Sequence, residues 1–221
     1  NINPKQLGIV AISNGEGINN LFEEASVDVI VFGGQSMNPS VEDIQKAVDS
    51  LPNEQVLILP NNSNIILTAD SVAKNSDRDI IVVPTKSIQQ GLVALYNISK
   101  EMTPYANYEA DVKEAFTAIS EGSTTFAVRD TEMDGIEIKK GQFISLKDKA
   151  IIASEDKMID SFKVLFDKVV EDAEEEITII HNNDVSKEDL ATIKGWLEAS
   201  GLDFEIYFGG QEIYSLLIFG E

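Results

Sequence analysis

The stretch that decides the fold is Leu7-Gly8-Ile9-Val10-Ala11-Ile12-Ser13, an apolar run that ends in the polar turn Asn14-Gly15-Glu16-Gly17. Further apolar runs at residues 27–32, 55–59 and 80–83 repeat this pattern. Short runs without a polar face are typical of strands buried in a parallel sheet. Amphipathic stretches lie between them and predict helices that cover both faces of that sheet.

The pattern of elements changes near residue 122. Short segments at 124–128, 135–138, 142–146 and 150–153 are separated by turn residues, which is typical of an antiparallel meander. We therefore predict an α/β protein with two lobes. Residues 1–122 form a parallel α/β lobe whose sheet is flanked by helices, and residues 123–221 form an α+β lobe with a mainly antiparallel sheet. The boundary rests on Gly122, which we interpret as the C-terminal cap of a helix.

Composition excludes several classes of function. The 221 residues include 17 Lys plus Arg against 38 Asp plus Glu, so the formal charge is −21. Such a charge is repelled by nucleic acid and by anionic membranes, and we predict binding to neither. The chain has no Cys and one His, which excludes a thiolate nucleophile and a histidine cluster. No apolar run approaches the roughly 20 residues of a membrane span, so we expect a cytoplasmic protein without membrane insertion.

Small polar residues follow the predicted parallel strands. The loops at the carboxyl ends of such strands usually line the ligand crevice of an open sheet. One interpretation is a ligand or partner surface, with Lys86 as the basic side chain that pairs with an anion. The other is that these residues only form turns and cap helices, with Ser40 or Asn38 capping one helix and Ser63 or Asn64 the next, and that Lys86 is a solvated charge. The candidate residues are Gln35, Asn38, Ser40, Asn61, Asn62, Asn64 and Lys86.

No catalytic or metal-binding residue is predicted. A phosphate loop of the GxxxxGK[ST] type is absent, and Gly15-Glu16-Gly17 lacks the third glycine of a dinucleotide motif. His181 stands alone and predicts no triad. Asp130, Glu132 and Asp134 alternate, but Gly141 stands at the twelfth loop position, where a calcium loop needs Glu, so a solvated hairpin is the better interpretation.

Seven strings in a fixed order resemble the C-terminal region of the ATP-binding subunit of bacterial fatty-acid kinase, a family often described as dihydroxyacetone-kinase-like. The resemblance runs over essentially the whole chain. The strings are Ser13-Asn14-Gly15-Glu16-Gly17-Ile18, Gly33-Gly34-Gln35-Ser36-Met37-Asn38-Pro39-Ser40, Leu59-Pro60-Asn61-Asn62-Ser63-Asn64-Ile65, Val83-Pro84-Thr85-Lys86-Ser87-Ile88, Ala127-Val128-Arg129-Asp130-Thr131, Asp134-Gly135-Ile136-Glu137-Ile138-Lys139-Lys140-Gly141 and Gly209-Gly210-Gln211-Glu212-Ile213-Tyr214.

This resemblance implies a context. In the family, an N-terminal domain binds ATP and magnesium, a middle domain carries histidines and a cysteine, and the C-terminal region has a DegV-like fold. The complete subunit phosphorylates the carboxylate of a fatty acid that a DegV-type partner carries, and a homodimer would form through the parent protein. The motifs of the first two domains are absent here, so we expect no cofactor and no kinase activity in this fragment alone.

A second resemblance is to DegV-type fatty-acid-binding proteins themselves. Those proteins hold the lipid carboxylate with hydroxyls from a Ser/Thr-rich loop, and the corresponding loop here reads Asn61-Asn62-Ser63-Asn64. The leading hypothesis is therefore a non-catalytic docking module that engages the DegV-type partner. The alternative is a small-molecule module that binds a fatty acid or another anion in the crevice. An independent hydrolase or phosphotransferase would need a nucleophile and a base that the sequence does not provide.

Overall fold

The computed structural model describes residues 1–33 and 38–221. This part of the chain divides into two compact units, residues 1–118 (unit 1) and residues 119–221 (unit 2). Among the described residues, none of the helices has both the length and the apolar character that a bilayer crossing requires.

Unit 1 contains the parallel sheet that the apolar runs predict. Its four strands are all parallel and lie in the order β2-β1-β3-β4. The two central strands, β1 and β3, are buried along their whole length, which explains why their sequences lack a polar face. The strands are β1 (Gly8–Ser13), β2 (Val29–Phe32), β3 (Gln55–Leu59) and β4 (Asp79–Val82).

Helices connect these strands, and side chains cap three of them. Ser40 accepts a hydrogen bond from the backbone of Asp43, Asn62 from that of Asn64, and Ser87 from that of Gln90. A short 3₁₀ turn, Tyr105–Asn107, precedes the last helix of the unit. The helices are α1 (Glu16–Glu24), α2 (Val41–Asp49), α3 (Ser63–Lys74), α4 (Ile88–Tyr96) and α5 (Glu109–Thr117).

Unit 2 contains a six-stranded sheet in the order β11-β10-β12-β5-β8-β9 and a separate hairpin of β6 and β7. Within the six-stranded sheet only β10 and β11 are parallel, which confirms the mainly antiparallel prediction. The elements are β5 (Ser120–Phe126), β6 (Thr131–Met133), β7 (Ile136–Ile138), β8 (Phe143–Lys147), β9 (Ala150–Glu155), α6 (Met158–Asp172), β10 (Glu176–His181), α7 (Lys187–Ser200), β11 (Asp203–Phe208) and β12 (Leu216–Gly220).

The interpretation of Gly122 as a helix cap is wrong. Helix α5 ends at Thr117, and Gly122 lies inside strand β5. A Cβ atom at this position would stand 2.4 Å from the Cδ1 atom of Leu165 and 2.4 Å from the backbone oxygen of Leu146. The glycine is therefore required by packing between the sheet and α6, and it carries no information about a helix end.

The segment Gly209-Gly210-Gln211 directly follows strand β11. It connects the edge strand β11 to β12, which pairs with both β10 and β5 in the middle of the sheet. All five residues of β12 are buried, so the strand needs cover on both faces. The solvated hairpin predicted at Asp130, Glu132 and Asp134 is confirmed by the pairing of β6 with β7.

Helix α6 holds unit 2 together by packing on its sheet. Phe162, Leu165 and Val169 are fully buried against strands that include β5, β8 and β12. Three buried hydroxyls also join these elements: Thr124 and Ser145 are 2.8 Å apart at their oxygens, and Ser145 and Ser161 are 2.8 Å apart. This hydroxyl chain fixes the first turns of α6 against β5 and β8, because each oxygen has its partner on a different element.

Candidate functional site

Asn61 lies at the carboxyl edge of the unit 1 sheet, and its side chain forms hydrogen bonds with other residues of the protein. Its Nδ2 atom donates to the backbone oxygen of Ile12 at 2.9 Å, and its Oδ1 atom accepts from the Thr85 hydroxyl at 2.8 Å. Its backbone N–H also donates to that hydroxyl at 3.1 Å. Asn61 is 2% exposed and Thr85 is fully buried. Asn61 therefore ties the ends of β1, β3 and β4 together.

Two other candidates act as helix caps. The Oδ1 atom of Asn62 accepts from the backbone of Asn64 at 2.9 Å, and Asn64 is itself exposed. Ser40 and Asp43 exchange two hydrogen bonds of 3.1 Å in a capping box. The hydrogen bonds from the backbone and hydroxyl of Ser40 lower the pKa of Asp43, and Lys46 adds to this effect. The cap at Ser40 is one that the sequence predicts, whereas α3 is capped by Asn62 in place of the predicted Ser63 or Asn64.

The remaining candidates do not share one buried site with Asn61. Lys86 is exposed, and its backbone N–H donates to the Gln90 side chain at 2.8 Å. Asn38 is exposed, with its backbone N–H 3.4 Å from the oxygen of Gly33. Gln35 lies outside the described residues. Of the seven candidates, the structure thus buries only Asn61 among the six that it describes.

The core of unit 1 near the Asn61–Asn64 loop is closely packed. Ile12, Leu59, Ile65 and Leu92 are between 0% and 1% exposed. A tunnel wide enough for an acyl chain would leave the side chains on its wall accessible to a water-sized sphere. These side chains are not accessible, so they line no such tunnel within unit 1.

A surface groove with a volume of about 590 Å³ lies in unit 2. Its apolar part combines the ends of β5 and β8 with the first turn of α6. Phe126 is 51% exposed although it is aromatic, and it pairs directly with Phe143 across the two strands. The lining residues are Phe126, Phe143, Asp156, Lys157, Met158, Ile159, Asp184, Asp189 and Ser215.

The polar part of this groove is mainly acidic. Asp156, Asp184 and Asp189 line it together with one cation, Lys157. Asp156 accepts a hydrogen bond from the Gln142 side chain at 3.2 Å and remains exposed. No group of three or more His, Cys, Asp or Glu side chains in the described ranges is arranged to hold a metal ion. A groove with an apolar floor and carboxylates at its border is complementary to a partner surface that combines apolar and basic residues.

Sequence reasoning missed this groove. Its residues come from five separate segments, at Phe126, Phe143, residues 156–159, residues 184–189 and Ser215. The only signal along the chain is the position of Phe126, an aromatic residue at the end of a strand beside turn residues. From the sequence alone, Phe126 cannot be distinguished from an ordinary core residue, because the order of the strands in the sheet is not known.

A family model for the C-terminal region of FakA-like fatty acid kinase proteins matches residues 8–221. Protein YloV of Bacillus subtilis is 37% identical over 216 residues, which cover 97% of this chain and 39% of YloV. An uncharacterized protein of Staphylococcus saprophyticus is 37% identical over 211 residues, which cover 95% of this chain and 38% of that protein. The chain thus spans about two fifths of the length of these curated relatives.

Solved structures share the fold at low sequence identity. A DegV family protein of Corynebacterium glutamicum has a TM-score of 0.66 and 14% identity, covering 97% of each chain. The fatty acid kinase B3 protein of Streptococcus pneumoniae, loaded with linoleic acid, has a TM-score of 0.56 and 11% identity, covering 98% of this chain and 99% of that one. The fold is therefore DegV-like, as the second resemblance implies. From the family match over nearly all of its residues, we conclude that the chain belongs to the FakA-like C-terminal family of fatty acid kinase proteins.

Proposed function

We propose that this chain is a non-catalytic docking module of a fatty-acid kinase. In this proposal it engages a DegV-type fatty-acid-binding protein, so that the bound fatty acid is phosphorylated by an ATP- and magnesium-binding domain elsewhere in the parent protein. Phosphoryl transfer depends mainly on positioning donor and acceptor, and a docking module supplies that positioning.

The single observation that carries the proposal is that polar groups at the carboxyl edge of the unit 1 sheet form hydrogen bonds within the protein. A lipid-binding protein with this fold would need free polar groups for the head group and an open channel for the acyl chain. In unit 1, Asn61 is hydrogen-bonded to Ile12 and Thr85, and the neighbouring core side chains are inaccessible. These polar groups are therefore not free to hold a head group, which supports an adaptor over a lipid carrier.

The unit 2 groove is our candidate for the docking surface. We infer that its occupant is a projecting part of the DegV-type partner that combines apolar and basic side chains. The apolar floor at Phe126 and Phe143 would bury part of that projection. The carboxylates of Asp156 and Asp184 would pair with its cations and steer the approach of the two proteins.

A titration of this chain with the DegV-type protein of the same organism tests the proposal. We expect a complex with a dissociation constant of about 10 μM or tighter at low salt, the range of weak specific association. Affinity should fall as salt is raised, because charge pairs at an interface are screened. Absence of a complex at tens of micromolar, with both proteins folded by circular dichroism, would falsify the docking function.

Native mass spectrometry of the chain purified from cells tests the alternative. We expect the mass of the polypeptide alone. A fatty acid retained at one molecule per polypeptide would instead support the lipid-binding module. It would also contradict the conclusion that the closed sheet edge leaves no place for a lipid.

A further inference from the structure

Asp189 differs from the other two acidic residues of the unit 2 groove, because its carboxylate has no partner. Asp156 accepts a hydrogen bond from Gln142 at 3.2 Å, and Asp184 accepts one from Asn182 at 3.3 Å. The carboxylate of Asp189 makes no hydrogen bond and no ion pair within the part of the chain that the structure describes. Asp189 is partly buried, whereas Asp156 and Asp184 are exposed. An unpaired charge that has lost part of its contact with water is unfavourable.

The position of Asp189 at the start of α7 makes this lack of a partner unusual. Helices α2 and α7 begin with the same Ser-x-x-Asp sequence, at Ser40 to Asp43 and at Ser186 to Asp189. In α2 the two residues exchange both hydrogen bonds of a capping box. In α7 the serine hydroxyl accepts from the backbone N–H of Asp189 at 3.0 Å, and the described residues show no return bond from the carboxylate. Helix α7 thus forgoes a stabilising contact that its sequence provides, and the free carboxylate lines the groove.

The charges that line the groove are not balanced within it. Three carboxylates face one cation, Lys157, and no ion pair of the described residues joins Lys157 to any of them. Phe126 and Phe143 form the apolar floor of the same groove. An occupant on this floor would exclude water, and a charge pair is stronger where water is excluded. A cationic side chain that entered the groove would therefore find one unpaired carboxylate, that of Asp189, in a partly dehydrated place.

We propose that Asp189 is the specificity-determining residue of the groove, and that it pairs directly with one Lys or Arg side chain of the docked protein. The proposal rests on the docking function and deepens it, because it assigns one residue and one charge to the contact. The exposed carboxylates of Asp156 and Asp184 act mainly on the approach of the two proteins. A protein with a neutral or anionic side chain at this place would bury the Asp189 carboxylate without a partner, so it is rejected.

A titration with the DegV-type protein of the same organism compares Asp189→Asn with Glu188→Gln. Both changes remove one negative charge from the first turn of α7, but Glu188 is exposed and is not among the lining residues of the groove. We expect Asp189→Asn to weaken binding at least about tenfold, mainly through faster dissociation, as the loss of a direct contact does. Glu188→Gln should change the dissociation constant less than about twofold. Equal effects of the two changes, or no effect of either, would overturn the proposal.

Two further variants separate a lost contact from a lost fold. Asp189→Glu keeps the charge and should bind at least about threefold more tightly than Asp189→Asn. Asp43→Asn changes the same position of α2; it should lower the Tm because the capping box loses a charged acceptor, and it should leave binding within about twofold. Asp189→Asn should keep the Tm within about 4 °C of the wild type, because it removes no hydrogen bond of the fold. A larger loss of Tm for Asp189→Asn than for Asp43→Asn would indicate a structural role and contradict the assignment.

A double-mutant cycle identifies the cation on the partner. Each exposed Lys and Arg of the DegV-type protein is changed to Ala and titrated against both the wild type and Asp189→Asn. We expect one of these changes to reduce affinity at least about fivefold against the wild type and less than about twofold against Asp189→Asn. Effects that add for every partner residue would remove Asp189 from the contact and leave the docking function intact. A wild-type chain that binds no partner would remove the docking function, and this assignment with it.

Discussion

Gly122 on β5 and Leu165 on α6 are in direct contact, with no room for a side chain at the glycine. An added Cβ would stand 2.4 Å from the Cδ1 atom of Leu165. It would also stand 2.4 Å from the backbone oxygen of Leu146, which cannot rotate away as a side chain can. This close approach sets the distance between the sheet and the helix in unit 2.

We predict that Gly122→Ala destabilises unit 2 by about 1–3 kcal/mol, the usual cost of overpacking. Denaturant unfolding followed by fluorescence of Trp196 would measure this. Trp196 is the only tryptophan, and its ring lies 5.5 Å from that of Phe166 on α6. The matched control is Gly195→Ala on α7, where a Cβ meets no atom within 4 Å. That change should stabilise by about 0.5–1 kcal/mol, and a loss in the control would contradict our account of both glycines.

The buried hydroxyl chain predicts non-additive effects. Ser145→Ala alone should cost about 1–3 kcal/mol, because it leaves Thr124 and Ser161 without their shared partner. The triple variant Thr124→Val, Ser145→Ala, Ser161→Ala removes all three hydroxyls and should cost less than the sum of its single changes. Strict additivity in urea unfolding would mean that the three hydroxyls do not act as one network.

The stability of unit 2 should depend on pH through the protonation of Glu176. Burial raises the pKa of Glu176 above its ordinary value of 4.5, and the neighbouring carboxylates of Glu205, Asp203 and Glu175 raise it further. The folded state therefore binds this proton more tightly than the unfolded state. The contribution of Glu176 to stability is unfavourable at pH 7, and it improves as the pH falls through the raised pKa.

We predict that Glu176→Gln stabilises unit 2 at pH 7 by about 0.2–1 kcal/mol, as expected for removal of a like-charge pair with Asp203 on the adjacent strand. The difference from the wild type should vanish well below pH 4.5, where both forms are neutral. Thermal unfolding at several pH values would measure it. Glu198→Gln, an exposed change on α7, is the control and should have no effect at either pH. A stabilisation that persists at low pH would rule out the electrostatic explanation.

Substitutions in the groove should weaken partner binding without loss of fold. Phe126→Ser and Asp156→Lys each change an exposed side chain, so we expect stability to be retained. Each should reduce affinity for the DegV-type protein at least about fivefold, which corresponds to about 1 kcal/mol. Leu67→Ser, at a residue that is 78% exposed, and Glu24→Lys are matched controls in unit 1. If controls and groove variants bind alike, the partner contacts another surface.

The parallel sheet of unit 1 could be predicted because its information is local. The strand at residues 55–59 has the predicted bounds, and the cap at Ser40 follows from the residue type beside its helix. Gly122 could not be interpreted correctly, because the sequence shows a glycine but does not show that Leu165 packs against it. A glycine in a strand and a glycine at a helix end look the same.

The candidate site shows the same limit. The polar character of Asn61 is visible in the sequence, and a ligand-binding role was a reasonable hypothesis. Its partners Ile12 and Thr85 lie 49 and 24 residues away, and the fold alone brings them within hydrogen-bonding distance. Whether an asparagine binds a ligand or bonds within the fold therefore depends on tertiary contacts that no local pattern contains.

The central position of β12 has a consequence for biosynthesis. Its partners on both sides, β10 and β5, are made earlier, yet they cannot be joined into one sheet until residues 216–220 leave the ribosome. Unit 1 has no such dependence, since all four of its strands emerge within its first 82 residues. A nascent polypeptide would thus expose the apolar faces of unit 2 during translation, when chaperones have access to them.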